Sequence, residues 1–562
     1  MGVIRFIGSG DSGGKAQGLI DSLALIEQFS ASLPFSGIML NIPQMIIIRS
    51  DLFTRFVSHN GLIERIEPDS SDIDIARYFL QGDIPAEWIG DLRRVSDSLK
   101  VPLAIRSSAL LEDARQLPFA GVYLTKMIPN HQLDPSIRFH QFLEAIKLVW
   151  SSTYYGNVRA CRQSLGLAPF GEQMAVLIQP IVGARWNHYF FPLVSGVARS
   201  HNYYPFPGTC AEDGVAQLAL GLGKTIVDNH PSWIYSPANP GLSMPFPSFK
   251  AMLQATQTRF WAIDLSRQFQ YDPFSETEYM SYLSLKQAEI PAVLRYVAST
   301  WHPENDRLEM GAFDKGPRVL NFAPLLQSSL LPFNPLIRLL LAELTAVYPQ
   351  GVEIEFALQI DDLPQTVPIF NVLQIRGLNS IQTQLMLPLD TIPREKIVVQ
   401  SRQTLGEGMK RSIRDIVYLL PDCFNLVHTL QIASELESVN RFLMENHRTC
   451  LLIVFGRLGS SDPWLGVPVT WPQISSAEVI VEGGLDQFQP DLSQGSHFFH
   501  NLSNLGVFYL SLNKTETDAI NWNWLRELTC IRETDFLRHV EYMPGLNAAI
   551  SSHNQQGVVF YD

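Results

Sequence analysis

Residues 104–125 read AIRSSALLEDARQLPFAGVYLT, and they gather an arginine, two hydroxyls and a glycine around one short loop. Val101 to Ile105 is an apolar run that predicts a strand, with Arg106 emerging at its end. There its guanidinium fork can hold phosphate oxygens bidentately. Ser107 and Ser108 suit the cap of a following helix. Phe119, Ala120 and Gly121 then turn into a second predicted strand, VYLTKMI, and Gly121 lets backbone approach a ligand with no side chain between. Taken alone, the same residues also describe a surface arginine before an ordinary helix cap.

Composition narrows the field. A chain of 562 residues can fold as two to four domains with a well-buried core. Its formal charge is −13 and its pI about 5.5, which argues against a nucleic-acid partner bound through counterion release. Any phosphate site must therefore be a local basic pocket. Cys161, Cys210, Cys423, Cys450 and Cys530 are scattered and never form a CxxC pair, so neither a disulfide framework nor a structural zinc site is expected. A reducing cytoplasm is the expected location. No uncharged stretch reaches the ~20 residues that span a bilayer, and no leader segment is expected at the N-terminus.

Along the chain, apolar runs such as QMIIIRS, VPLAIRS and MAVLIQPIV alternate with helical patterns up to about residue 240, predicting a mixed α/β region. Residues 241–380 hold the helical pattern LIRLLLAELTAVY and then two strands, GVEIEFALQI and PIFNVLQIRGL, joined by a hairpin-like IDDLPQTVP. Residues 380–400 read as a connection, and residues 400–562 as a smaller C-terminal α/β domain.

The hairpin carries the second chemical cluster. Glu353 and Glu355 alternate with Ile354 and Phe356, so both carboxylates share one strand face, and Gln374 and Arg376 share a face of the partner strand. Two carboxylates beside an amide oxygen form a hard oxygen site suited to magnesium, and the arginine suits the phosphates such a metal bridges. A solvated strand face with cross-strand Glu–Arg pairs is the other reading. Near the N-terminus, SGDSGGKAQGLIDSLAL puts Gly13, Gly14 and Lys15 before a helix pattern, where amides and the helix dipole attract anions. Its spacing is not that of a Walker A loop, and by itself the segment reads first as a flexible glycine turn. Gly221 and Gly223 in LALGLGKTIVD form a similar turn.

In order, GGKAQGL, RSSALLEDARQLPFAG, VLIQPIV, SGVA, LGLGKTIVD, EIEF and LQIRG cover residues 10–378 and resemble the N-terminal nucleotide-binding region of the phosphoenolpyruvate synthase and pyruvate phosphate dikinase family, which includes the rifampicin phosphotransferases. The resemblance implies an ATP-grasp fold whose two lobes hold Mg-ATP. It implies that Lys15 and Arg106 hold the phosphates, that Gly121 and Thr125 line the phosphate loop, and that Gln179 with Pro180 to Val182 lies at the adenine hinge. Glu355 and Gln374 would face magnesium and the phosphates, with Glu353 beside them as a further metal ligand, and Arg376 would neutralise the transferred charge. Two departures stand out. Glu353 replaces the family's usual aspartate, and Lys224 replaces an acid at the end of the LGLG segment.

About 180 residues follow position 380, too few for the ~250-residue barrel that binds pyruvate in complete members. The family's phosphate-accepting histidine motif is absent in its usual form. Its nearest echo is QGSHFFHNLSNLGVFYLSL, where His497 precedes a helix-like segment; a partly buried core histidine is the reading the residues favour there, and a phosphate acceptor the other. Trp464 and Trp471 in FGRLGSSDPWLGVPVTW suit either a binding loop or the core. Two functions follow as expectations. One is an ATP-dependent phosphotransferase acting on a histidine, its own or that of a separate phosphohistidine-domain protein, or on a small acceptor. The other is an ATP-binding module without turnover.

Overall fold

The computed structural model describes residues 4–562 except 113–120, 229, 244, 247, 268–271, 287–290, 313–315, 329–330, 361–365, 379–391, 461–465, 486–501, 503–504, 513–518 and 552–555. The chain divides into two compact units, residues 1–114 with 121–378, and residues 379–562. His497 and Trp464 lie outside the described residues.

The first unit is built on two main sheets. One has the order β1 (Ile4–Ile7), β3 (Met45–Ile48), β6 (Met174–Pro180), β4 (Leu103–Ala109), β5 (Thr125–Ile128). The other runs β11 (Trp233–Tyr235), β10 (Val215–Ala219), β9 (Val194–Arg199), β17 (Val352–Gln359), β18 (Ile369–Gly377), β2 (Met39–Asn41). A smaller sheet joins β7 (Ala184–Trp186), β8 (Tyr189–Phe191), β12 (Arg259–Asp264) and β13 (Met280–Ser284). A fourth consists of β14 (Ser299–His302), β15 (Arg307–Met310) and β16 (Arg318–Val319). This is the two-lobed arrangement of an ATP-grasp fold.

Each main sheet has an apolar filling that its sequence pattern supplies. Met45 to Ile48 and Met174 to Ile178 are buried at every position, as expected of strands covered on both faces. Behind the first sheet, Phe53 and Phe56 of α2 (Ser50–His59), after α1 (Gly14–Ala31), meet Phe79 of α3 (Asp72–Gln81) and Trp150 of α5 (Pro135–Ser151), with α4 (Ala86–Ser98) between the last two in the chain. Their ring centroids lie 5.1–6.1 Å apart. In the second lobe, Phe356 and Phe370 stack at 4.7 Å across β17 and β18, and Phe333 packs on both.

The serines after Arg106 differ from their expected role. Arg106, Ser107 and Ser108 all lie inside β4 and begin no helix. Ser108 instead serves α1: its hydroxyl accepts from the amide of Ala16 at 3.1 Å and donates to the carbonyl of Ser12 at 2.8 Å. A serine far along the chain thus satisfies an amide at the helix start that Gly13 cannot cap. The glycines explain why this approach is possible. Gly13 has φ +74°, and a Cβ there would lie 1.7 Å from the carbonyl oxygen of Ser108; a Cβ on Gly14 would lie 1.7 Å from that of Glu112. These glycines are close-packing residues as well as turn residues.

The second unit is a ten-stranded mixed sheet. Gly408–Leu419, Cys450–Phe455, Ala477–Gly483 and Phe508–Leu512 run parallel as neighbours, and Leu537–Ser551 pairs antiparallel beside the first of them. Helix Thr429–Glu445 connects the first two. Trp471 is buried at 8% exposure, which makes it a core residue. Asp415 is buried in this sheet, taking His539 Nε2 and Arg448 Nε at 2.6 Å each. Among the described residues, no helix is long and apolar enough to cross a membrane.

All five cysteines are free; Cys161 and Cys450 are buried, and burial pushes both thiols up to about 12. A thiol reagent at pH 8 should therefore label Cys210, Cys423 and Cys530 in the native protein and all five in denaturant, as counted by intact mass. The packing of the α1 start makes a second prediction. Gly13→Ala should destabilise the first unit by roughly 2–4 kcal/mol through a clash and a disfavoured φ. Gly90→Ala, in open space on α4, should stabilise it by about 0.5–1 kcal/mol, both read from denaturant unfolding.

Candidate functional site

On the face shared by β9, β17 and β18, side chains line up in two rows. Arg199, Glu353 and Arg376 stand side by side by strand register, and Val197, Glu355 and Gln374 form the next row. The alternation of EIEF accounts for the carboxylates: Ile354 and Phe356 fill the core at 0% and 1% exposure, so Glu353 and Glu355 must turn to the other face.

Between Glu355 and Phe356 the register with β18 shifts, so that Gln374 opposes Glu355 and Val372 opposes Phe356. Leu373 is the residue left over, a β-bulge whose carbonyl is turned out of the ladder. Arg106 uses it. From β4 of the other sheet, Arg106 donates through Nη1 to the Leu373 carbonyl at 3.3 Å. Its Nη2 donates to Gln374 Oε1 at 2.9 Å and Glu355 Oε2 at 3.2 Å. Arg376 donates Nη2 to Glu355 Oε1 at 3.1 Å and Nε to Glu353 Oε1 at 2.5 Å. The other oxygen of Glu353 takes Arg199 Nε, also at 2.5 Å. The structure thus brings Arg106, Glu353, Glu355, Gln374 and Arg376 together. Thr125 is also near, as the register partner of Arg106 on β5.

Lys15 is placed differently. Its ammonium sits 2.5 Å from Glu112 Oε1 and 3.4 Å from Ser107 Oγ, and the Glu112 side chain is fully buried. Glu112 also accepts from Ser107 Oγ and from the amide of Ala109. Behind it, Glu172 pairs with Arg162; burial raises the Glu172 carboxyl above the usual range, against the pull of that arginine. Lys15 therefore reaches a carboxylate just beyond the end of β4. Gly121, at φ +71°, lies beside the undescribed residues 113–120.

Gln179 lies opposite Ala104 near the end of β6, with Ile181 just beyond that strand. Its Nε2 is buried and has no hydrogen-bond partner among the described residues. Ala104 and Ile181 join Leu222, Ile263, Leu265 and Met280 in one apolar cluster. An apolar surface with an unsatisfied amide donor matches what a nucleobase offers: a flat face and acceptor nitrogens. Lys224, next to Leu222 in the glycine turn, is held at 3.3 Å from each of Asp228 and Glu276.

Two residues of this arrangement escape a reading of the sequence. Glu112 lies inside the AIRSSALLED run, where an acid in a polar stretch gives no sign of being buried against Lys15. Arg199 follows SGVA directly. Its period-two position on β9 would have placed it on the carboxylate face, had the pairing of β9 with β17 been known.

The donor set fits the groups at issue. Glu355 and Gln374 offer hard oxygens, with Glu355 at 18% side-chain exposure, and Arg106 and Arg376 offer planar donors of the kind that bind phosphate. Among the described residues no cluster of three or more His, Cys, Asp or Glu forms a complete cation cage.

No curated protein matched the chain. The family described as the pyruvate phosphate dikinase AMP/ATP-binding domain matches residues 11–386, a span that contains every strand of the two main sheets except β1. The match covers both halves of the site, the arginine on β4 and the carboxylates on β17, and so the chain belongs to the pyruvate phosphate dikinase family through its ATP-binding domain.

Proposed function

We propose that the first unit is an ATP-dependent phosphotransferase of the dikinase type, passing a phosphoryl group from Mg-ATP to a histidine or a small acceptor. The observation that carries this reading is the approach of Arg106 on one lobe to Glu355 and Gln374 on the other, at 3.2 and 2.9 Å. In phosphoryl transfer the protein contributes mainly position and charge, and these residues supply both.

Arg106 and Arg376 hold the phosphate oxygens and neutralise charge that develops in transfer. To do so they exchange the Glu355 carboxylate for phosphate, which frees Glu355 and Gln374 as magnesium ligands. Lys15 makes the analogous exchange, giving up Glu112 for phosphate. Gly121 and Thr125 line the phosphate loop, and Gln179 with Pro180 to Val182 receives the adenine, its orphaned Nε2 donating to a ring nitrogen. Glu355 and Gln374 would hold magnesium, whose chemistry there would be to offset phosphate charge. The acceptor is the chain's own His497, a histidine of a separate protein or a small acceptor, and the work takes place in the cytoplasm, with no nucleic acid or membrane involved.

One observation favours a second reading, an ATP-binding module without turnover. Lys224 brings a further cation, tied to Asp228 and Glu276, beside the apolar cluster that would take the adenine. Product analysis separates the two. The phosphotransferase should convert ATP to AMP or ADP with phosphate, and Arg106→Ala and Glu355→Ala should each lower kcat at least ~10²-fold. Tight Mg-ATP binding without products would establish the module instead. With ATP labelled at the β-phosphate, label on His497 is the expected result if that histidine is the acceptor. A His497→Ala chain that labels normally would move the acceptor elsewhere.

A further inference from the structure

We infer that Glu353 is an anchor for Arg376 and not a magnesium ligand, and that Arg199 is the positioning residue that makes it one. This rests on the reading of the site as one for ATP phosphates and magnesium.

The two glutamates of EIEF look equivalent by alternation, yet their surroundings differ. Glu353 is 1% exposed, and its two oxygens are taken by different arginines, Arg199 from β9 and Arg376 from β18, both through Nε at 2.5 Å. The register is what fixes this. Glu353 faces Arg199 on one side and Arg376 on the other, whereas Glu355 faces Val197 and Gln374. Glu355 is more open, at 18% side-chain exposure, and its arginine contacts are longer, at 3.1 and 3.2 Å.

The charges follow from the geometry. If Glu353 bound magnesium, it would leave two arginine side chains, 13% and 10% exposed, without their shared carboxylate beside an added dication. Removing one partner from a buried ion pair leaves an uncompensated charge, which is far costlier than never having formed the pair. Glu355 faces no such obstacle, because Arg106 and Arg376 can pass from its carboxylate to phosphate while magnesium takes their place.

Arg376 is then a pivot. Its Nε stays on Glu353 while its Nη2 moves from Glu355 to the phosphate. Arg199 holds the far oxygen of Glu353, so the carboxylate keeps the orientation that aims the Arg376 guanidinium. Arg199 touches neither nucleotide nor metal in this scheme; it acts through Glu353.

The test compares Glu353→Gln, Glu355→Gln, Arg199→Ala and Arg199→Lys in the full chain. Affinity for Mn2+ is measured by electron paramagnetic resonance in the presence of a non-hydrolysable ATP analogue, and kcat and KM for ATP are measured separately. Glu355→Gln should weaken Mn2+ binding at least ~10-fold, whereas Glu353→Gln should leave it within about threefold of wild type and lower kcat ~10²-fold with little change in KM. Arg199→Ala should match Glu353→Gln in kcat, the double variant should be no worse than either single, and Arg199→Lys should recover part of the loss. Equal loss of Mn2+ binding in Glu353→Gln and Glu355→Gln would overturn the inference, as would an Arg199→Ala enzyme with unchanged kcat. If Glu353→Gln fails to fold, Arg199→Lys, which keeps the charge, carries the kcat comparison and its own Mn2+ titration. A wild-type chain that binds Mn2+ and the analogue but turns over no ATP would overturn the phosphotransferase reading alone, and the Mn2+ comparison would still decide the role of Glu353. A wild-type chain that binds neither would overturn both.

Discussion

The candidate site depends on one ionic chain, Arg199–Glu353–Arg376–Glu355–Arg106, which crosses from the second main sheet to the first. Three cations alternate with two carboxylates, and most of these groups are more than four-fifths buried at the side chain. Charges so placed interact strongly because little water screens them, and they are tolerable only while each keeps a partner. The arrangement has a net positive charge of about one unit by simple formal counting. On the proposed reading an anion enters by replacing a carboxylate on an arginine and does not simply add to the row.

The backbone makes that replacement possible. The β-bulge at Leu373 turns a carbonyl toward Arg106, giving its guanidinium a neutral foothold at 3.3 Å in addition to the acid. An arginine held by a carbonyl and an amide oxygen, as well as by Glu355, can release the carboxylate without losing its position. Around the start of α1 the same economy operates with glycine. Gly13 and Gly14 let the helix come against β4 closely enough for Ser108 to satisfy the Ala16 amide and for Glu112 to receive Lys15. Lys15, Arg106 and Arg376, the three cationic groups proposed to meet phosphate, are thus each held on a carboxylate.

The second unit shows how little a motif says without its surroundings. Its sheet includes four neighbouring parallel strands, and among its buried charged groups is Asp415 with His539 and Arg448, which the sequence does not single out. The histidine that the sequence does single out, His497, falls outside the described residues. The match to the dikinase ATP-binding domain ends at residue 386 and leaves most of the second unit outside it.

Much of the first unit is legible in the amino-acid sequence because strands covered on both faces need unbroken apolar runs, as in MIII and MAVLI. Strands with one functional face need alternation, as in EIEF. These local rules fix the residue types, their order and the face on which Glu353, Glu355, Gln374 and Arg376 stand. They do not fix which cation meets which acid. Arg106 and Glu355 are 249 positions apart, Lys15 and Glu112 are 97, and Arg199 and Glu353 are 154. Pairings at such distances depend on strand order and register, which the packing of whole sheets sets. Hence two glutamates that are equivalent along the strand become different groups in the fold, one fastened between arginines and the other within reach of exchange.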